Sequence, residues 1–250
     1  MVELIYGIHS VQSVLKNTPR RILRIFILCK NKDIRLKELI CCAIKYNINI
    51  QERAKEWFNY KIKGSLHQGV IAELIELPYL KEVALLNILK KSAMDSLILV
   101  LDGITDPRNL GACLRSADAA GVHVVIAPKD RAARINATVR KVASGSADRV
   151  PFVQVTNISR TLRLLQKNEV WVVGTVLKQQ SSRIIFKSKL IGPVALVMGS
   201  EGSGIRNLTK KNCNELVNIP MLRSDVSLNV SVATGVCLFE VVRQRFYQKN

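Results

Sequence analysis

Three short stretches of the chain hold the polar residues best suited to chemistry, and each follows an apolar run. The first is Asp102-Gly103-Ile104-Thr105-Asp106-Pro107-Arg108-Asn109, which continues into Leu110-Gly111-Ala112-Cys113-Leu114-Arg115. The second is Gly199-Ser200-Glu201-Gly202-Ser203-Gly204, and the third runs from Ile219-Pro220-Met221 to Ser227-Leu228-Asn229. Between them they offer an amide and a guanidinium, a glycine-rich turn with one glutamate, and a Ser-x-Asn pair. None holds a His, a metal-binding cluster or a working carboxylate pair, so the inventory suits binding and positioning better than hydrolysis. A reaction driven by a reactive cofactor would ask little more of the protein. The glycine turn fits neither of two familiar motifs. A P-loop needs Lys-Ser/Thr where Ile205-Arg206 follow Gly204, and a dinucleotide fingerprint needs a glycine where Asn207 stands.

More modest roles are open for the same residues. Ser227 or Asn229 could cap the helix that follows, and Asn109 could be another cap. Arg115 could pair with Asp118 at i,i+3, worth roughly 0.2–0.5 kcal/mol on a helix surface.

The elements that must position these stretches are legible from periodicity. Apolar runs at 97–101, 122–127, 150–155, 170–176, 194–198 and 216–219 have the length and composition of buried parallel strands. Helical spacing lies between most of them, at 110–120 closed by Gly121 and at 158–166 entered through Asn157. After Asn229, apolar or small residues at 230, 233, 234, 237, 238 and 241 again read as a helix. All three stretches therefore sit at strand ends, where ligands bind in open α/β sheets. Residues 4–77 form a smaller α/β pattern, with helices over 8–15 and 34–46 and strands over 24–28, 48–50 and 69–75. The division expected is a first domain over 1–76, a linker over 77–95 and a second domain over 96–250.

The chain has 250 residues, 48% of them hydrophobic, which is globular composition. Its apolar runs are too short to span a membrane, and the first residues lack the basic and apolar regions of a secretory signal, so a cytoplasmic protein is expected. Six scattered cysteines and three separated histidines point to free thiols and no metal. Lys and Arg number 38 against 19 Asp and Glu, a formal net charge of +19. Such a surplus attracts polyanions, nucleic acid first among them.

With these residues in view, the three stretches resemble, in order and wording, the motifs of the SpoU (TrmH) family of RNA ribose 2′-O-methyltransferases. The resemblance extends from Tyr6-Gly7-Ile8-His9 through His67-Gln68-Gly69 to Phe239-Glu240-Val241-Val242-Arg243. It points to members that methylate a guanosine ribose in large-subunit ribosomal RNA. It implies an RNA-holding N-terminal domain similar to ribosomal protein L30e, a C-terminal SPOUT-type α/β domain with a trefoil knot, S-adenosylmethionine as cofactor, and a homodimer that completes the site. Carried over by position, Asn109, Arg115, Glu201, Ser227 and Asn229 are the functional polar residues. Gly199, Ile219 and Leu228 would meet the cofactor, with Gly174, Thr175 and Met221 nearby. The alternatives are a methylation-silent RNA-binding or ribosome-assembly factor and a tRNA methyltransferase of the same family. Two stretches depart from the family pattern: residues 222–226 are bulkier than expected, and 176–180 lack a glycine.

Overall fold

The computed structural model describes residues 2–29, 33–62, 67–75, 80, 82–91, 95–177, 181–223 and 226–248. In chain order the elements begin with β1 (Val2–Tyr6), α1 (Ile8–Asn17), β2 (Ile22–Leu28), α2 (Ile34–Lys45), β3 (Asn49–Arg53), α3 (Lys55–Ile62), β4 (Val70–Ile75) and α4 (Glu82–Lys91). They continue with β5 (Leu97–Asp102), α5 (Pro107–Ala119), β6 (Val124–Pro128), α6 (Ala137–Ala143), α7 (Ser146–Arg149), β7 (Phe152–Val155) and α8 (Ile158–Lys167). The last are β8 (Trp171–Thr175), β9 (Arg183–Ile184), β10 (Val194–Gly199), α9 (Asn207–Lys211), β11 (Glu215–Asn218) and α10 (Val230–Gln248). Two compact units result: Met1–Pro78 with Ile135–Arg149, and Tyr79–Arg134 with Val150–Asn250.

The first unit is a four-stranded sheet in the order β1-β4-β2-β3, antiparallel except for the parallel β2–β3 pair. Successive side chains of a strand point to opposite faces. Ile5, Ile25 and Ile27 thus pack against Val11, Val14, Leu36 and Leu39 of α1 and α2, while Tyr6, Phe26 and Ile71 pack with Phe58 of α3 on the other face. Residues 135–149, which the sequence division assigns to the second domain, belong to this unit. They are held by a buried cluster of four charges. Arg21 donates to Asp148 at 2.9 Å and to Glu3 at 3.2 Å, and Arg140 donates to Glu3 at 3.0 Å and to Asp148. Removing one member would leave its partners charged and uncompensated in a low dielectric, which is strongly destabilising.

The second unit is a seven-stranded parallel sheet in the order β7-β6-β5-β10-β8-β11-β9. Strands β5 and β10 are buried along almost their whole length, as their unbroken apolar runs require. The stretch expected to be a linker contains α4 instead. Leu85 and Leu89, four residues apart, lie on one face of that helix and enter the core beside Val153, Ile158 and Leu162. Ile88 packs against the same cluster beside them. Among the described residues no helix is long and apolar enough to cross a membrane.

Burial separates the thiols into two groups. It pushes Cys113 up to about 11, and Cys213 and Cys237 each up to about 12, so they stay protonated at neutral pH. Cys29 and Cys41 are exposed. A disulfide reagent at pH 8 is expected to modify Cys29 and Cys41 in the native protein and the buried Cys113 and Cys237 only after denaturation. Native labelling of all four at similar rates would contradict this packing.

Candidate active site

Parallel strands place their C-terminal ends on one edge, and every candidate stretch leaves the sheet there. Asp102 ends β5 and is paired in register with Gly199, which ends β10. Thr175 ends β8, on the other side of β10, and Ile219 follows β11 one strand further.

The turn after β10 is closed by its own backbone. Ser200 N–H donates to the Gly204 carbonyl at 3.1 Å and Gly204 N–H returns to Ser200 at 3.0 Å. Gly202 and Gly204 have φ of 83° and 63°, which a side chain would strain. Gly199 needs to be glycine for a different reason. A Cβ there would lie 2.1 Å from the Gly204 carbonyl carbon and 2.2 Å from the Ile205 nitrogen. Gly174 is similarly confined, by Cys213 and Leu216 at 2.8 and 2.9 Å.

Asp102 fastens the far end of this turn. Its carboxylate is fully buried, accepts Arg206 N–H at 3.1 Å and faces the Arg206 guanidinium at 3.5 Å. Neither residue was among the sequence candidates. The signal available was a carboxylate closing a continuous apolar strand, a place where an unpaired charge would be unaffordable.

With the turn fixed, Glu201 reaches the other two stretches. Its Oε1 accepts from the Asn109 amide and, at 2.9 Å, from the Asn229 amide; Asn229 Nδ2 also donates to Asn109 Oδ1 at 3.1 Å. Three residues separated by 92 and 28 positions thus form one closed network. Asn109 is not the cap of α5. Asp106 is, accepting from Arg108 N–H, which frees the Asn109 amide for Glu201. Asn229 does serve as a cap, its Oδ1 accepting from Ser231 N–H at 2.8 Å, and its amide nitrogen still joins the network. One residue therefore carries both roles.

The other candidates lie outside this network. Arg115 is exposed on α5, about 9 Å along the axis from Asn109, while Cys113, Leu114 and Ala117 beside it are buried. It makes no ion pair or hydrogen bond with any described residue, so the alternative role as an i,i+3 partner of Asp118 is not taken up. Ser227 and Leu228 are both exposed. Thr175 donates to the Val197 carbonyl at 2.9 Å, tying the end of β8 to β10. Ile219 and Met221 are partly exposed beyond β11. Of the departures from the family pattern, Leu222 and Val226 are exposed, and residues 178–180 and 224–225 lie outside the described residues.

These loops fit an adenosyl sulfonium ligand. Ile219 and Met221 are partly exposed and Leu228 is exposed, which leaves apolar surface at the strand ends for the adenosyl group, while Gly174 and Gly199 are required by close packing within the chain itself. Among the described residues no group of three or more His, Cys, Asp or Glu is arranged to hold a metal ion.

Comparisons with known proteins identify the family. The model of the SpoU rRNA Methylase family matches residues 96–239, and that for RNA 2'-O ribose methyltransferase substrate binding matches residues 4–80. A protein of Blochmanniella floridana named 23S rRNA (guanosine-2'-O-)-methyltransferase RlmB is 61% identical over 100% of this chain and 98% of its own length. The protein of that name from Escherichia coli K12 is 49% identical over 98% of this chain and 100% of its own. Among solved structures, the SpoU methyltransferase AviRb from Streptomyces viridochromogenes in complex with AdoMet superposes with a TM-score of 0.82. That match has 22% identity and covers 98% of this chain and 91% of that one, which is a likeness of fold.

Proposed function

Since the chain belongs to the SpoU rRNA methylase family, we propose that it transfers a methyl group from S-adenosylmethionine to the ribose 2′-hydroxyl of a guanosine in 23S rRNA. The observation that carries this reading at the level of this chain is the closed Asn109–Glu201–Asn229 network, which joins all three motif loops at one sheet edge.

S-adenosylmethionine, when bound, supplies the electrophilic methyl group. Gly199, Ile219 and Leu228 would line its pocket, with Gly174, Thr175 and Met221 behind them. A ribose hydroxyl is a weak nucleophile and must lose its proton as it attacks. Arg115 cannot take that proton, because a guanidinium stays charged at any relevant pH. It can instead grip the hydroxyl and the adjacent phosphate with its planar fork, so that the phosphate receives the proton. Glu201 would brace the loops, and Ser227 and Asn229 would orient cofactor and ribose. Holding hydroxyl and methyl in line is a large part of the rate enhancement, several kcal/mol.

The first unit would hold the RNA, and the reading includes a homodimer. Val232, Phe239 and Phe246 of α10, seven residues apart, are 51%, 49% and 64% exposed and form one apolar stripe. A second copy covering this stripe would complete the site around Arg115. The reading also includes the family's trefoil knot, with which a strand order that sets β10 between β5 and β8 is compatible. A cytoplasmic location goes with a ribosomal RNA substrate. The test is incubation with labelled S-adenosylmethionine and unmodified large-subunit rRNA, followed by nuclease mapping. A single 2′-O-methylguanosine is expected. Cofactor binding without any transfer to RNA would overturn the enzymatic reading in favour of a methylation-silent RNA-binding factor.

A further inference from the structure

The C-terminal edge of the seven-stranded sheet is used unevenly. The candidate cofactor residues all lie on one side of β5, after β10, β8 and β11. On the other side lies β6, and the loop leaving it reads Lys129-Asp130-Arg131-Ala132-Ala133-Arg134. Adjacent strands stand about 4.8 Å apart, so this loop starts one strand from the turn that leads into Asn109. The two are fastened together: Ala133 N–H donates to the Ile104 carbonyl at 2.8 Å. The other end is anchored where Lys129 N–H donates to Val155 at 2.9 Å, and Arg131 takes a left-handed φ of 54°. The loop is thus held by backbone bonds and by the burial of Ala133, while its charged side chains are exposed. Lys129, Arg131 and Arg134 are exposed, Asp130 is the single carboxylate among them, and none of the three cations pairs with a described residue. Three unpaired cations in six residues repel one another unless an anion joins them.

We propose that residues 129–134 form a phosphate-binding track for the RNA strand beside the target nucleotide. The substrate then lies over β6, the methyl donor over β8 and β11, and the two meet where β5 and β10 end. Guanidinium groups at 131 and 134 take phosphate oxygens bidentately, and Lys129 adds a point charge. This assignment rests on the methyltransferase reading above, since it presumes that the strand gripped is the one to be methylated.

The test is a triple variant, Lys129→Gln, Arg131→Asn and Arg134→Gln; Asn is chosen at 131 because it tolerates positive φ. Binding of a fluorescent large-subunit rRNA fragment, without cofactor, is followed against salt concentration. Each lost phosphate contact on a single strand lowers the logarithmic salt slope by about 0.7, so the variant slope should be shallower by about 2 and its affinity at 0.15 M salt roughly 50-fold weaker. The KM for RNA should rise correspondingly, with kcat at saturating RNA and the Kd for S-adenosylmethionine unchanged. A control with Arg131→Lys and Arg134→Lys keeps the charge and should keep the slope. An unchanged slope in the triple variant, or a loss confined to cofactor affinity, overturns the track. Normal RNA binding by the wild-type protein without methyl transfer would instead overturn the methyltransferase reading, because the slope is measured independently of transfer.

Discussion

Replacing Arg115 by Ala is expected to lower kcat by about 10²–10⁴, the range for loss of proton-transfer assistance, and to leave the protein otherwise intact. Arg115 is exposed and without a partner among the described residues, so its truncation opens no cavity and strands no buried charge. Stability should change by no more than about 0.5 kcal/mol. The Kd for S-adenosylmethionine should stay near the wild-type value, because the candidate cofactor residues belong to the loops after β8, β10 and β11 and not to α5. Arg115→Lys keeps the charge but not the two-pronged geometry, and should recover only part of the rate. Single-turnover transfer with equilibrium dialysis for the cofactor separates these effects. Transfer by Arg115→Ala at the wild-type rate would remove the residue from the mechanism.

Gly199→Ala is expected to act on the other half of the reaction. The added methyl would sit 2.1 and 2.2 Å from backbone atoms of Gly204 and Ile205, which cannot swing away as a side-chain tip can. Either the end of β10 or the 200–204 turn must shift. A shift of the turn breaks the reciprocal Ser200–Gly204 bonds and draws Glu201 from Asn109 and Asn229. Overpacking of this kind destabilises by about 1–3 kcal/mol. Affinity for S-adenosylmethionine should fall at least about tenfold, which is 1.4 kcal/mol. Gly202→Ala is the informative comparison. It lies three residues further on in the turn with φ of 83°, and nothing lies within 4 Å of its added carbon. It should show only the strain of a left-handed residue, about 1–2 kcal/mol. Wild-type cofactor affinity in Gly199→Ala would mean that the turn is not part of the cofactor cradle.

The strands and helices around the site were readable because their signals are local. The apolar run at 97–101 became β5, and Asn157 caps α8 through the Arg160 N–H as expected. Other elements were hidden for identifiable reasons. Helix α4 buries Leu85 and Leu89 and packs Ile88 beside them, and α3 has one fully buried residue, Phe58. The cluster of Glu3, Arg21, Arg140 and Asp148 looks like ordinary surface charge in the sequence, since burial is a property of the fold and not of the residue.

What the sequence determined by itself is the set of pieces: a parallel α/β sheet, the polar residues at its strand ends, and a surplus of positive charge. Periodicity, capping and turn chemistry act over a few residues, so they survive being read one stretch at a time. Only the tertiary structure decided which pieces meet. By inserting β10 between β5 and β8, it brings Glu201 to Asn109 and Asn229 across 92 and 28 residues of chain, and leaves the basic loop after β6 on the opposite side of β5. Strand order is settled by the burial of whole faces and the pairing of whole edges, a sum over distant contacts that no local pattern records.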